Sequence, residues 1–225
     1  MVKQKELTKE QIEEVGKCVL DFRYFLWPSL WDGGDKQFVH ILDTQKGGMV
    51  PLEPWPHLIK FATALALYVL VILIKSRQGG ASWILAAHRL WGAMFRKGSY
   101  YPLYSQSEDD SKELLYKSHV IWENLGVHAP HLQQELEIDN TEEMKFKVTG
   151  GRLIAKPSTK KAGHGVTATR VGYDEHEYHD YAAESFMATK PSIDAGGGMD
   201  FVSTVNKAVT TTTFKGLVRA AMKDE

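Results

Sequence analysis

KSRQGGAS, residues 75–82, stands directly after a β-rich run, YVLVILI at 68–74, and just before a helical run, WILAAHRLWGAMF at 83–95. A glycine-containing turn between a strand and a helix lets backbone N–H groups converge on an anion, and the helix N-terminus behind it adds roughly half a positive charge. The turn is in the place of a phosphate cradle. Against the pattern GxxxxGK[ST], Gly80 and Ser82 fall in register, but Lys75 holds the first glycine position and Ala81 the lysine position. Lysine is instead available at the start of the loop, Arg77 follows two residues later, and Ser82 keeps the hydroxyl that helps to hold Mg²⁺. By itself the loop equally describes an ordinary strand-to-helix turn with its basic residues in solvent.

A phosphate loop needs a partner strand ending in two acids, one for the metal and one to orient the attacking water. TRVGYDE at 169–175 supplies it about 90 residues downstream: Asp174 for Mg²⁺ and Glu175 as the general base. Arg170 and Gly172 make this strand less apolar than most. The following HEYH, His176 to His179, is one residue short of the HExxH zinc pattern and has no third ligand nearby, so neutral histidines flanking an acid pair are expected rather than a zinc site. His164, Lys160 and Lys161 lie in the loop before the strand, where they face DNA, a neighbouring subunit or solvent.

The rest of the chain alternates between the two periods of regular structure. Thr8 and Gln11 have capping-box spacing, and Ile12, Val15, Val19 and Phe22 recur at three and four, predicting one amphipathic helix over 8–25. Glycine and proline are dense over 28–55, which predicts an irregular connection with one short strand before a helix opening at Pro56. Strands are expected at 69–74, 100–105, 169–173 and 200–204, and helices at 81–96, 109–125 and 180–189. LEIDN, MKFKV and GGRLIA within 134–155 predict antiparallel strands decorating the sheet. This is βαβ grammar: an α/β fold with a mainly parallel central sheet flanked by helices and a small antiparallel addition.

At 225 residues with 43% hydrophobic content, one domain is the default. Lys+Arg 27 against Asp+Glu 28 gives net charge -1, so any nucleic-acid contact must be local rather than a whole-surface effect. The single cysteine, Cys18, excludes an intramolecular disulfide framework and fits a reducing intracellular compartment. The N-terminus has no basic start followed by an apolar run, so no secretory signal is read there. FATALALYVLVILI at 61–74 is too short to span a membrane, which needs about 20 apolar residues, and reads as a buried helix end running into a core strand.

Five segments in order carry a resemblance. LEPWPH at 52–57 looks like an adenine-recognition segment, with His57 where glutamine is usual; KSRQGGAS looks like a deviant phosphate loop; YPLYSQSEDDSKELL resembles the strand and helix that follow. GGRLIAKPSTKKAGHGVTATRVGYDE resembles the approach to the acid pair, and FVSTVN at 201–206 looks like a coupling motif with Ser203 and Thr204 in the matching places. Together, over about residues 50–210, they resemble the N-terminal ATPase domain of tailed-bacteriophage terminase large subunits. The resemblance implies a P-loop NTPase of the ASCE type and ATP hydrolysis powering translocation of double-stranded viral DNA into a procapsid. It implies ATP and Mg²⁺ as cofactors. Trp55, His57 and residues Lys75, Ser76, Arg77, Gln78, Gly79, Gly80, Ala81 and Ser82 would bind nucleotide, with Lys75, Arg77 and Glu175 catalytic, Ser82 and Asp174 on the metal, and Ser203 and Thr204 coupling. The implied partners are double-stranded DNA, a portal protein, the terminase small subunit and further copies of the chain in a ring, with no membrane. The place would be the host cytoplasm and, transiently, the procapsid portal.

On that reading residues 1–50 are a lead-in, 51–210 the P-loop core, and 211–225 a tail or linker toward a nuclease domain, so DNA cleavage is not expected of this chain. An arginine supplied in trans is worth roughly 10³ to 10⁵ in rate in related machines. This chain offers His164 in the loop where the family's finger usually lies, with Arg152, Lys161 and Arg170 as substitutes. Two rival readings stand: another P-loop translocase of helicase type, or a nucleotide-binding scaffold whose altered loop no longer hydrolyses, favoured by the missing lysine at position 81.

Overall fold

The computed structural model describes residues 7–160 and 167–223. Thr8 caps the first helix, α1 (Lys9–Leu20), through a complete capping box with Gln11. The helix expected to run to residue 25 stops at Asp21, whose side chain accepts the N–H of Arg23 and starts a second helix, α2 (Phe22–Leu26). A third turn of helix, α3 (Ser29–Asp32), follows. The lead-in then holds two strands, not one: β1 (His40–Asp43) and β2 (Gly48–Pro51) form an antiparallel hairpin.

Pro56 opens α4 (Pro56–Leu67) from its first position, where the missing N–H costs nothing. The chain passes directly into β3 (Leu70–Ile74), then α5 (Ala81–Phe95), β4 (Tyr100–Ser105) and α6 (Glu108–His128). Three strands follow, β5 (Leu136–Asp139), β6 (Glu143–Phe146) and β7 (Arg152–Pro157). After the loop come β8 (Arg170–Asp174), a 3-10 turn at His176–Tyr178, α7 (Ala182–Asp194), β9 (Gly198–Ser203) and α8 (Thr213–Ala221). The stretch read as a tail therefore contains a helix, docked by the buried ring of Phe214. Among the described residues no helix is long and apolar enough to cross a membrane.

Seven strands form one sheet in the order β3-β9-β8-β4-β7-β6-β5. The first five run parallel, and β6 and β5 are antiparallel additions. β7 had been grouped with the antiparallel decoration. It instead pairs in parallel with β4 from Tyr100 opposite Arg152 to Ser105 opposite Pro157, so the additions are β5 and β6. Helices cover both faces, with one core between the sheet and α1, α2, α4, α5 and α6, and a second under α7 and α8. The indole N–H groups of Trp27 and Trp91 donate to the carbonyls of Leu52 and Cys18 at 2.7 and 2.6 Å, fastening the N-terminal helices to the larger core.

A charged cluster sits inside this sheet. Asp200 of β9 has no exposed surface; Arg170 of β8 grips it with two hydrogen bonds of 2.7 and 2.6 Å, and the fully buried Arg89 of α5 bonds it from above. Arg170 also donates to the carbonyls of Leu65 and Tyr68, closing the end of α4. Gly172 leaves room for this: an added Cβ would stand 3.3 Å from the Arg89 guanidinium. Both oddities of the β8 sequence are thereby explained. Removing one partner of a buried charge cluster strands the others away from water, so Asp200→Ala is expected to lose about 3–5 kcal/mol, read from denaturant unfolding. A loss within experimental error would show that water reaches the two guanidinium groups.

Candidate nucleotide site

The registers of β3, β9 and β8 bring Ile74, Ser203 and Asp174 to one edge of the sheet, its carboxyl edge, where ligands of open parallel sheets bind. The Lys75 N–H adds a last rung by donating to the Ser203 carbonyl at 2.9 Å. The chain then turns through two left-handed residues, Gln78 at φ 59° and Gly80 at φ 77°. Gly80 has no substitute, since a Cβ there would be strained and would lie 3.2 Å from Leu58. Among the described residues no side chain caps the 15-residue helix α5, whose first N–H groups therefore face the loop with the positive end of the helix dipole.

The loop and the acid pair, 99 residues apart in sequence, meet. The Lys75 ammonium lies 2.8 Å from Asp174 Oδ1, 3.0 Å from Glu175 Oε1 and 2.9 Å from Ser82 Oγ. The Ser82 hydroxyl donates to Asp174 Oδ2 at 2.6 Å. Burial works against the charge on Lys75, but the two carboxylates outweigh it and hold the ammonium above the ordinary lysine range. Lysine at the loop's start thus reaches the hydroxyl on the first turn of α5. Ala81, at the position where a lysine is usual, is buried in the core.

Three clefts open onto this loop. One of about 310 Å³ runs between the loop, including Ser76, and the β1–β2 hairpin, with Lys117 of α6 at its side. A second of about 400 Å³ is walled by Ile41, Val50, Leu52, Trp55 and His57. His57 Nε2 lies 2.9 Å from the Gly79 carbonyl and donates to it, so this histidine supports the loop, while Trp55 is 59% exposed. The third, about 560 Å³, holds Lys75, Arg77, Ser82, Glu175 and Thr204 together with Gln106, Asp110 and Tyr178. Among the described residues Arg77 has no ion-pair partner, and its side chain is free to meet an anion.

Glu175 adopts φ 50°, a left-handed conformation that costs a side-chain-bearing residue free energy and marks a position fixed by its surroundings. Its Oε2 accepts from the N–H and the hydroxyl of Thr204, both at 3.3 Å, with Ser203 Oγ at 3.5 Å. The histidines after it point elsewhere. Burial, with His179 beside it, pushes His176 down to about 3, among the rings of Tyr173, Phe201 and Phe214. His179 is lowered by burial as well, and its Nε2–H donates to the Asp174 carbonyl at 2.8 Å, bracing the end of β8.

Compared with solved structures, the chain is similar to the large terminase of the HK97 bacteriophage, with a TM-score of 0.68 at 15% identity over 92% of this chain and 41% of that one. The fold is that of a phage large-terminase ATPase domain. A mutant of the ATPase domain of the Thermus phage P74-26 large terminase matches at a TM-score of 0.50 and 16% identity, over 65% of this chain and 62% of that one. The chain therefore spans less than half of the HK97 protein. No family model and no curated protein matches its sequence. In the central sheet β9 lies between the strand before the glycine turn and the acid-pair strand, the order expected of an ASCE P-loop fold.

Within the terminase ATPase fold, the arginine candidates separate. Arg170 is committed to Asp200 inside the sheet and is not available to a neighbouring subunit, which corrects its place among the substitutes. Arg152 starts β7 at the opposite edge of the sheet from the loop, with its guanidinium over the Tyr100 ring. Lys161 and His164 lie outside the described residues, and Lys160 is an exposed turn residue. The hairpin residues, Lys117, Gln106, Asp110 and Tyr178 were missed by sequence reasoning. Of these, only Gln106 and Asp110 carried a signal, lying just past the end of a predicted strand beside the phosphate loop.

Proposed function

We propose that this chain hydrolyses ATP and that hydrolysis drives double-stranded viral DNA into a procapsid. The observation that carries the reading is the position of the Lys75 ammonium, at hydrogen-bond distance from Ser82, Asp174 and Glu175 at the mouth of a glycine turn. It also weighs against the non-hydrolysing scaffold, because the charge absent from position 81 is supplied from position 75. Ser82 and Asp174 offer adjacent oxygens fit for a hard divalent cation, and Mg²⁺ held there would neutralise phosphate charge. Lys75 and Arg77 bind the γ-phosphate, the free N–H groups of α5 cradle the phosphates, and Trp55 covers the base. Glu175 takes the proton of the attacking water. Ser203 and Thr204 touch both the loop and the base, and so couple the site to the rest of the chain.

The partners we propose with this function are DNA, a portal protein, a small terminase subunit and other copies of this chain in a ring, acting in the host cytoplasm and at the procapsid. We assign residues 51–210 to the motor core, with 1–50 as its lead-in. Nucleotide affinity measured with and without a chelator tests the site. ATP should bind at least about tenfold more weakly without Mg²⁺, a difference of about 1.4 kcal/mol. Identical affinities, or no ATP turnover at all in the presence of Mg²⁺ and DNA, would defeat the reading.

A further inference from the structure

Glu177 lies two residues after the proposed base and takes no part in the chemistry described above. Its side chain has no exposed surface, yet it is fully bonded. Oε2 accepts from the Thr212 hydroxyl at 2.5 Å, Oε1 accepts from the Asn206 N–H at 3.3 Å, and the Lys215 ammonium stands 3.1 Å from Oε1. Lys215 belongs to α8 and Thr212 is that helix's cap. The Glu177 N–H donates to Ser203 Oγ at 3.0 Å. Main chain and side chain of this one residue are thus pinned to the segment 203–215.

That same segment orients Glu175, through Thr204 and Ser203, and receives the first N–H of the phosphate loop on the Ser203 carbonyl. Glu175 itself is left-handed, a conformation that persists only where neighbours hold it. The 3-10 turn His176–Tyr178 is the neighbour on its C-terminal side, and Glu177 is the residue that ties this turn down. A carboxylate buried with an ammonium, a hydroxyl and an N–H around it resists displacement, because moving it leaves charged groups unpaired. We propose that Glu177 is a positioning residue: it holds Glu175 in its left-handed orientation, with one carboxylate oxygen beside Lys75, and ties that orientation to α8. The proposal rests on the ATPase reading above.

The test is ATP turnover, with Mg²⁺ and double-stranded DNA present, by the chain carrying Glu177→Ala, Glu177→Gln, Glu175→Ala, or Glu175→Ala with Glu177→Ala. Misplacing a reacting group by about an ångström costs on the order of 10²-fold, so Glu177→Ala should lower kcat by about that factor while KM for ATP stays put. Glu177→Gln, which keeps an acceptor for Thr212 and loses the ionic bond to Lys215, should fall between it and the unsubstituted chain. In the Glu175→Ala background the second substitution should lower turnover no further. A purely structural role predicts otherwise: kcat falls with the folded fraction, and by the same factor in both backgrounds. That additive result, or unchanged turnover by folded Glu177→Ala, overturns the proposal. Should Glu177→Ala fail to fold, Glu177→Gln and Thr212→Val take its place, and unsubstituted-level kcat in both is the overturning result. Loss of the ATPase reading is a separate outcome, seen as no turnover by the unsubstituted chain or indifference to Glu175→Ala, and it removes this proposal as well.

Discussion

Glu175→Ala should bind ATP as tightly as the unsubstituted chain and turn it over about 10² to 10⁴-fold more slowly, the range over which a positioned general base contributes. Binding survives because the groups proposed to meet the phosphates, Lys75, Arg77 and the N-terminus of α5, belong to a loop whose backbone Glu175 does not build. Glu175→Gln sharpens the test: the amide still accepts from Thr204 but takes up no proton. Glu175→Gly is the control for strain. Glycine adopts φ 50° freely, so it should be more stable than the alanine variant and equally slow. Turnover and nucleotide affinity measured on the three variants decide the matter, and equal kcat in unsubstituted and alanine forms removes Glu175 from the chemistry.

How much of this was legible in the sequence follows from the range of the interactions. The phosphate loop and acid pair could be read because each is a local pattern, a strand followed by chemistry at its end. The break at Asp21 could not, because Val19 and Phe22 continue the apolar spacing straight through it while a single side-chain cap restarts the helix. The β1–β2 hairpin was hidden for another reason: its strands are four residues long, mostly half-buried without a clean alternation, and set among glycines and prolines that read as loop. β7 was misassigned because short alternating runs carry no sign of whether a distant partner lies parallel or antiparallel. Arg170 and Gly172 look like flaws in β8 in the sequence, and Glu177 is only one letter of a failed zinc pattern. Each is explained only by a residue far along the chain, Asp200, Arg89 and Ser203 in turn, that no periodicity announces. The candidate site was therefore legible in the side chains that meet at the end of the glycine turn and silent in the residues that hold them.

Lys75→Ala is expected to be the most damaging single change at the site, lowering turnover by at least about 10²–10³-fold, the loss seen when one preorganised group facing developing charge is removed. It should weaken ATP binding as well, which separates it from Glu175→Ala. The reason is electrostatic. Without the ammonium, an incoming triphosphate meets Asp174 and Glu175 with less of their charge compensated, two carboxylates that Lys75 touches at 2.8 and 3.0 Å. The instructive companion is Lys75→Ala with Ala81→Lys, which restores the lysine to the usual position of the pattern. Sequence logic predicts rescue. The structure predicts none, since Ala81 packs in the core at the start of α5, and a lysine there must displace its neighbours to reach the loop. Turnover and affinity for the single and double variants are the measurement, and recovery in the double variant would show that the loop takes lysine from either end.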